Sequence, residues 1–255
     1  MEKEYFDKLW QVMKRLRKEC PWDKEQTHDS IKAATLEEAY EAVEAIDEKD
    51  YEALKGELGD LLLHIVFHSA IAEEADEFTL VEVIDGITEK LIRRHPHIFG
   101  DVKVKDSKEI EKNWEAIKLK EKGRKSVLDG IPKSLSALLR AYRIQEKVSK
   151  VGFDWEKKSD VWEKVEEELH EFKEAEKSGD IEKTEEELGD LLFALVNYSR
   201  FLKINPENAL RKANEKFTKR FAYVEKRLRE EGIDITNTNL QTMDKFWEES
   251  KNAEN

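Results

Sequence analysis

The chain of 255 residues contains one cysteine, four prolines and ten glycines. The single thiol, Cys20, excludes an internal disulfide and fits a reducing compartment. So few prolines and glycines leave little to interrupt helices. No apolar run approaches the ~20 residues of a membrane span. Residues Met1 to Asp7 lack the basic and apolar regions of a secretion signal. A soluble, cytoplasmic protein with no membrane partner is therefore expected. Positive charge is also short: 45 Lys and Arg against 58 Asp and Glu give a net charge of −13. Nucleic-acid binding needs a basic face, so no nucleic-acid partner is expected. The same surplus repels any phosphate ligand unless a cation stands between.

Helical periodicity fills most of the chain. Leu9, Val12, Met13 and Leu16 mark a first helix. Leu36, Ala39, Tyr40, Val43 and Ile46 mark a second, and Leu54, Leu58, Leu61, Ile65 and Val66 a third. A short polar turn at 47–50 separates these two, which should pack antiparallel. Val81, Ile84, Ile87 and Leu91 mark a fourth helix, ending before Pro96. A further helix is expected at 110–120. The turn-rich stretch 123–133 reads as a linker, and helices resume at 135–150, 161–176, 181–202 and 206–231. A last helix carries Trp247. No strand pattern of useful length occurs. The expected fold is all-α: two tandem helical-bundle domains, 1–122 and 134–255, joined by 123–133.

One pattern occurs twice. Glu37, Glu38 and Glu41 precede Glu57-Leu58-Gly59-Asp60-Leu61-Leu62; Glu167, Glu168 and Glu171 precede Glu187-Leu188-Gly189-Asp190-Leu191-Leu192. Every pair is offset by 130 positions. Residues i and i+3 share a helix face, so Glu38 with Glu41, and Glu57 with Asp60, point the same way. When the apolar stripes of the two helices pack, the four carboxylates converge. Such a cluster repels itself unless a cation sits in it, and all-oxygen ligands select Mg²⁺, with Mn²⁺ as a substitute. Glutamate-rich helices are ordinarily just solvated surface; the shared register sets these eight acids apart. Gly59 and Gly189 sit mid-helix at a cost of ~1 kcal/mol each, which close helix approach or ligand access would offset.

The duplication extends to cations and aromatics. Lys90 and Arg94 match Lys216 and Arg220 in spacing; Trp114 and Lys118 match Trp247 and Lys251. Such cations suit a polyphosphate, Arg as a fork and Lys as a point charge. The tryptophans are more often core than base-stacking. Near the acids the copies differ. Asn197, placed to touch substrate, corresponds to Phe67; His64 and His68 correspond to Ala194 and Tyr198. His64 and His68 could extend a metal site, but chemistry common to both copies does not need them, so ordinary interface histidines are expected. His95 and His97 flank Pro96 and should cap a helix.

Together these motifs resemble the MazG family of all-α nucleoside triphosphate pyrophosphohydrolases. Cys20-Pro21-Trp22-Asp23, Arg93-Arg94-His95-Pro96-His97 and Asn214-Glu215-Lys216-Phe217 add to the likeness, which spans the chain in the two-domain bacterial arrangement. The resemblance implies Mg²⁺-dependent hydrolysis of NTPs and dNTPs to the monophosphate and pyrophosphate, a homodimer, and clearance of unwanted nucleotides. Carried over, Glu168, Glu171, Glu187 and Asp190 hold metal, and Lys216, Arg220, Trp247 and Lys251 serve the nucleotide. The C-terminal copy is often the principal active one in the family. The N-terminal copy keeps Glu38, Glu41, Glu57 and Asp60. Competing readings are an inorganic pyrophosphatase or other phosphoanhydride hydrolase, and one domain as a non-catalytic nucleotide-binding or structural module. A di-iron bundle ranks below both, because neither motif supplies Glu-x-x-His ligands.

Overall fold

The computed structural model describes residues 2–106, 109–110, 113–114, 117–118 and 126–253. Among them the secondary structure is helical, without a strand. The chain divides into two units, Met1–Ile110 and Glu111–Asn255. The division falls within the helix expected at 110–120. Of that helix, residues 110, 113–114 and 117–118 are helical and the rest lies outside the described residues. Residues 126–133 form turns, with Gly130 at φ 77°.

In the N-terminal unit, α1 (Glu2–Glu19) carries acids in its first turn and Arg17 and Lys18 in its last, complementing the helix dipole. The one-turn helix α2 (Pro21–Glu25) starts on a proline, which suits a first helical position. Thr27 begins α3 (His28–Glu48) through a capping box with Ser30. Lys49 closes α3 in the left-handed conformation, φ 59°. Asp50 then caps α4 (Tyr51–Glu74), accepting hydrogen bonds from the Glu52 and Ala53 amides. So tight a turn folds α3 and α4 back on each other as a hairpin. Helix α5 (Leu80–Arg94) follows behind a Thr79–Glu82 capping box, and α6 (Pro96–Phe99) ends the run. His95 caps α5, its Nδ1 2.6 Å from the Leu91 carbonyl, as expected for a capping histidine.

Met13, Ile31, Val66, Phe67, Ala70 and Leu80 form the core of this unit. The guanidinium of Arg17 lies 5.7 Å from the Phe67 ring. It pairs with Glu74 and donates to the Asp23 and Gln26 carbonyls, tying α1 and α2 to α4. The stripe read from sequence on α3 and α4 is partly displaced. Leu36, Tyr40, Ile46, Leu58 and Ile65 are at least half exposed, while Ala42 and Ala45 are buried in their place. Small residues are buried on α3, and the larger side chains stand on a face that the described residues do not cover.

The C-terminal unit repeats the hairpin. Helix α7 (Ala137–Ser149) precedes α8 (Lys158–Ser178) and α9 (Ile181–Phe201), which pack against each other. Here Gly179 makes the left-handed turn, φ 74°, and Asp180 caps α9 through the Lys183 amide. Helix α10 (Pro206–Glu230) starts from an Asn205 cap. A 3₁₀ turn at Ile235–Asn237 leads to α11 (Leu240–Ala253). Val224, Leu228 and Phe246 join α10 to α11, with Ile233, Met243 and Trp247 against them. No helix among the described residues is long and apolar enough to cross a membrane.

Candidate active site

Each hairpin gathers its acids where its two helices meet. In the N-terminal unit Glu38, Glu41 and Glu57 bring one carboxylate oxygen each within 4.8 Å of the others; in the C-terminal unit Glu168, Glu171 and Glu187 do the same. The fourth acid stands outside each tight group. Asp60 is close enough to raise the carboxyl pKa of Glu38 and Glu41, and Asp190 does so for Glu187. Desolvation is the first cause of all three upward shifts, and the neighbouring carboxylates add to it. Carboxyl groups pushed toward protonation by one another are short of a cation, and a hard divalent ion supplies it with all-oxygen ligands. The donor set therefore fits a metal ion of the magnesium class.

Beside the C-terminal acids lies a cavity of about 300 Å³. Ile144, Val148, Phe153, Trp155, Val161 and Phe193 give it apolar walls, and Glu168 and Asp190 reach its edge. An apolar cleft with a few convergent polar groups is the usual form of a small-molecule site. Asn197 is buried in its wall. The Asn197 Oδ1 accepts from Arg200 Nε at 3.1 Å and Nη2 at 2.9 Å. Arg200 also forks onto the Asp154 carboxylate, with Nη1 at 2.9 Å from Oδ2. With its carbonyl so held, the orientation of the Asn197 amide is fixed.

The acidic hairpins and the chain as a whole match known proteins. The profile of the MazG nucleotide pyrophosphohydrolase domain matches twice, at residues 26–99 and 157–225, one match over each hairpin. A nucleoside triphosphate pyrophosphohydrolase/pyrophosphatase MazG of Thermotoga maritima is 47% identical over 98% of this chain and 96% of its own length. A nucleoside triphosphate pyrophosphohydrolase of Escherichia coli K12 is 45% identical over 97% of each. The chain belongs to the MazG family.

Within this MazG chain the two acid clusters are balanced by different residues. In the C-terminal unit Lys164 reaches Glu167 and Glu168, each at 2.7 Å. These hydrogen bonds hold the lysine pKa well above its usual value. The counterpart of Lys164 at the 130-residue offset is Ala34. In the N-terminal unit the matching Glu38 faces His64 instead, with Nε2 4.0 Å from Oε1. Where the C-terminal unit has the cavity-lining Asn197, the N-terminal unit has Phe67, packed in the core.

The cations matched by sequence stand elsewhere. Lys216 and Arg220 are on α10, Trp247 and Lys251 on α11, and none of the four lines the cavity. Arg220 lies 5.9 Å from the Trp247 ring, Phe217 packs on the same ring at 5.1 Å, and Lys251 pairs with Glu248. Trp247 joins the α10–α11 core. Lys90 and Arg94 are on α5; Trp114 and Lys118 fall in the C-terminal unit by the division of the chain, with Lys118 buried. Close helix approach does not account for the mid-helix glycines. A Cβ at Gly59 or Gly189 meets nothing within 4 Å.

Sequence reading passed over Lys164, Arg200 and Asp154. The signal for Lys164 was present, since an i, i+4 Lys–Glu pair with Glu168 is written in the chain. Arg200 and Asp154 are 46 positions apart, and nothing in local spacing joins them.

Proposed function

We propose that this chain hydrolyses nucleoside triphosphates, ribo and deoxy, to the monophosphate and pyrophosphate with Mg²⁺, Mn²⁺ substituting. The observation that carries this reading is the juxtaposition in the C-terminal unit. A three-carboxylate cluster adjoins an apolar cavity of about 300 Å³, a charged end and an apolar end as in a nucleotide. Glu168, Glu171, Glu187 and Asp190 hold the metal there, and Glu38, Glu41, Glu57 and Asp60 in the N-terminal unit. Bound metal neutralises phosphate charge and makes an acidic site hospitable to a polyanion.

The residues of the chain do the rest. The cavity excludes water from the nucleoside while Asn197 orients it. Lys164 presents a cation at the cavity edge, beside the place of the phosphates. A carboxylate of the cluster takes the proton of the attacking water. Attack at the α-phosphorus breaks the α–β anhydride bond and releases pyrophosphate. Lys216, Arg220, Trp247 and Lys251 stand apart from this cavity in the single chain; their nucleotide role rests on the family motif. The protein acts as a cytoplasmic homodimer with nucleotide as its partner and no nucleic acid. The exposed apolar stripe Val81, Ile84, Ile87 and Leu91 on α5 supports dimerisation. We place the domains at 1–122 and 134–255.

The products decide the reaction. Wild-type protein with Mg²⁺ and an NTP is expected to yield equal amounts of monophosphate and pyrophosphate. Nucleoside diphosphate with orthophosphate contradicts the regiochemistry, and turnover of pyrophosphate alone identifies a pyrophosphatase.

A further inference from the structure

One aromatic residue of the C-terminal cavity is not accounted for by packing. Phe153 lines the cavity and is 76% exposed. It stands just past the end of α7. There Gly152 adopts the left-handed conformation, φ 90°, and its amide donates to the Ser149 carbonyl at 3.1 Å. The Phe153 amide reaches back to the Val148 carbonyl, also at 3.1 Å. These two bonds make a Schellman turn, in which an apolar residue at the place of Phe153 commonly packs down on the helix it follows. A ring three-quarters exposed does not pack so, and the turn explains its backbone but not its side chain. The other two aromatic residues of the cavity, Trp155 and Phe193, are each 42% exposed. Elsewhere in the unit Trp162 packs on Tyr198 and Phe217 on Trp247.

The exposed ring is nevertheless carried on an anchored backbone. Asp154, the next residue, is forked by Arg200, and the same guanidinium holds Asn197. Asp154 and Arg200 thus link the loop that bears Phe153 to the cavity wall that bears Asn197. Both Arg200 bonds to Asn197 fall on its oxygen, which leaves the amide nitrogen as the end for a ligand. A nucleobase has a flat π face and polar edges, and aromatic rings take the face while fixed amides take an edge. Glu168 and Asp190 reach the same cavity and mark its phosphate side, so the aromatic lining is left for the base.

We propose that Phe153 stacks on the nucleobase and is a base-binding residue of the C-terminal site. The ligand covers a large apolar surface that the folded chain leaves open, and the anchored loop needs little ordering to receive it. The inference rests on the placing of the nucleoside in this cavity under the function proposed above.

The test is steady-state kinetics of the full chain with Mg²⁺ on two substrates, ATP and ribose 5-triphosphate, which carries the triphosphate without a base. Pyrophosphate release is followed. Phe153→Ala should raise KM for ATP about 5- to 150-fold, the range for one lost base–aromatic stack, with kcat much less changed. KM for ribose 5-triphosphate should stay as in the wild type. Where that compound binds without being cleaved, its inhibition constant against ATP takes the place of KM. Phe153→Tyr keeps the ring and should restore KM for ATP. The melting temperature should barely move, because so exposed a side chain supports little packing. An unchanged KM for ATP in Phe153→Ala overturns the proposal. So does an equal rise for both substrates, which would make Phe153 a residue that only shapes its loop. A wild type that turns over ATP, with Phe153→Ala its equal, sinks Phe153 alone. A wild type that turns over no ATP sinks the proposed function and this inference with it.

Discussion

The α3–α4 and α8–α9 hairpins carry the same acids in the same register, yet several residues beside the carboxylates differ. One cluster faces His64, the other Lys164. One has Phe67 in the core, the other Asn197 in a cavity wall. The comparison separates two requirements. The proposed metal binding needs only the hairpin and its acids, and both copies keep those acids. Nucleotide recognition needs space beside the acids, and in this chain the described cavity adjoining acids is on the C-terminal side.

The difference can be broken from its strongest side first. Glu171→Gln with Glu187→Gln should lower NTP turnover at least ~100-fold, because these acids would hold the metal ion whose charge balances the phosphates. Glu41→Gln with Glu57→Gln should cost far less in the same product assay. Lys164→Ala removes the cation that Ala34 shows the N-terminal copy does without. It should raise KM for the nucleotide about tenfold or more and leave kcat less affected, as expected for a charge-assisted contact. Steady-state kinetics across NTP concentrations check this, and an unchanged KM removes Lys164 from the site.

Arg200→Leu breaks a fork that is largely shielded from solvent and strands Asp154. Roughly 1–3 kcal/mol of stability should be lost in urea denaturation, with a weaker nucleotide affinity because Asn197 loses its anchor. The smallest effect is at the turns. Lys49 adopts a left-handed conformation that Gly179 adopts at the equivalent place. Lys49→Gly should raise stability by up to ~1 kcal/mol and Gly179→Ala lower it by a similar amount. A melting temperature that moves the other way would show that the two turns are held by different forces.

Much of this was legible in the chain. Periodicity located the long helices, because each buries a stripe and few glycines or prolines interrupt it. Register located the acids, because i, i+3 spacing on two paired helices dictates convergence. The short helices α2 and α6 were not legible, since four or five residues carry no periodicity. The interface of the acidic hairpins was misread toward Leu36, Tyr40 and Leu58, because apolar periodicity does not say whether a face is covered by the same chain. Asn197 was legible by its difference from Phe67. Its partners Arg200 and Asp154 were not, because only tertiary packing brings α9 to the loop before α8. His64 was expected as an interface histidine, and it is buried with its Nδ1 3.0 Å from Thr35 Oγ1.

The central claim, proposed above, is that the C-terminal cavity binds the nucleoside. Its most direct test is calorimetric titration of full-length protein with Mg²⁺ and an NTP analogue whose α–β bridge resists hydrolysis, comparing wild type with Asn197→Phe. The account predicts a nucleotide site in the wild type that is lost when the cavity receives the residue the N-terminal copy carries. Unchanged binding in Asn197→Phe would contradict it.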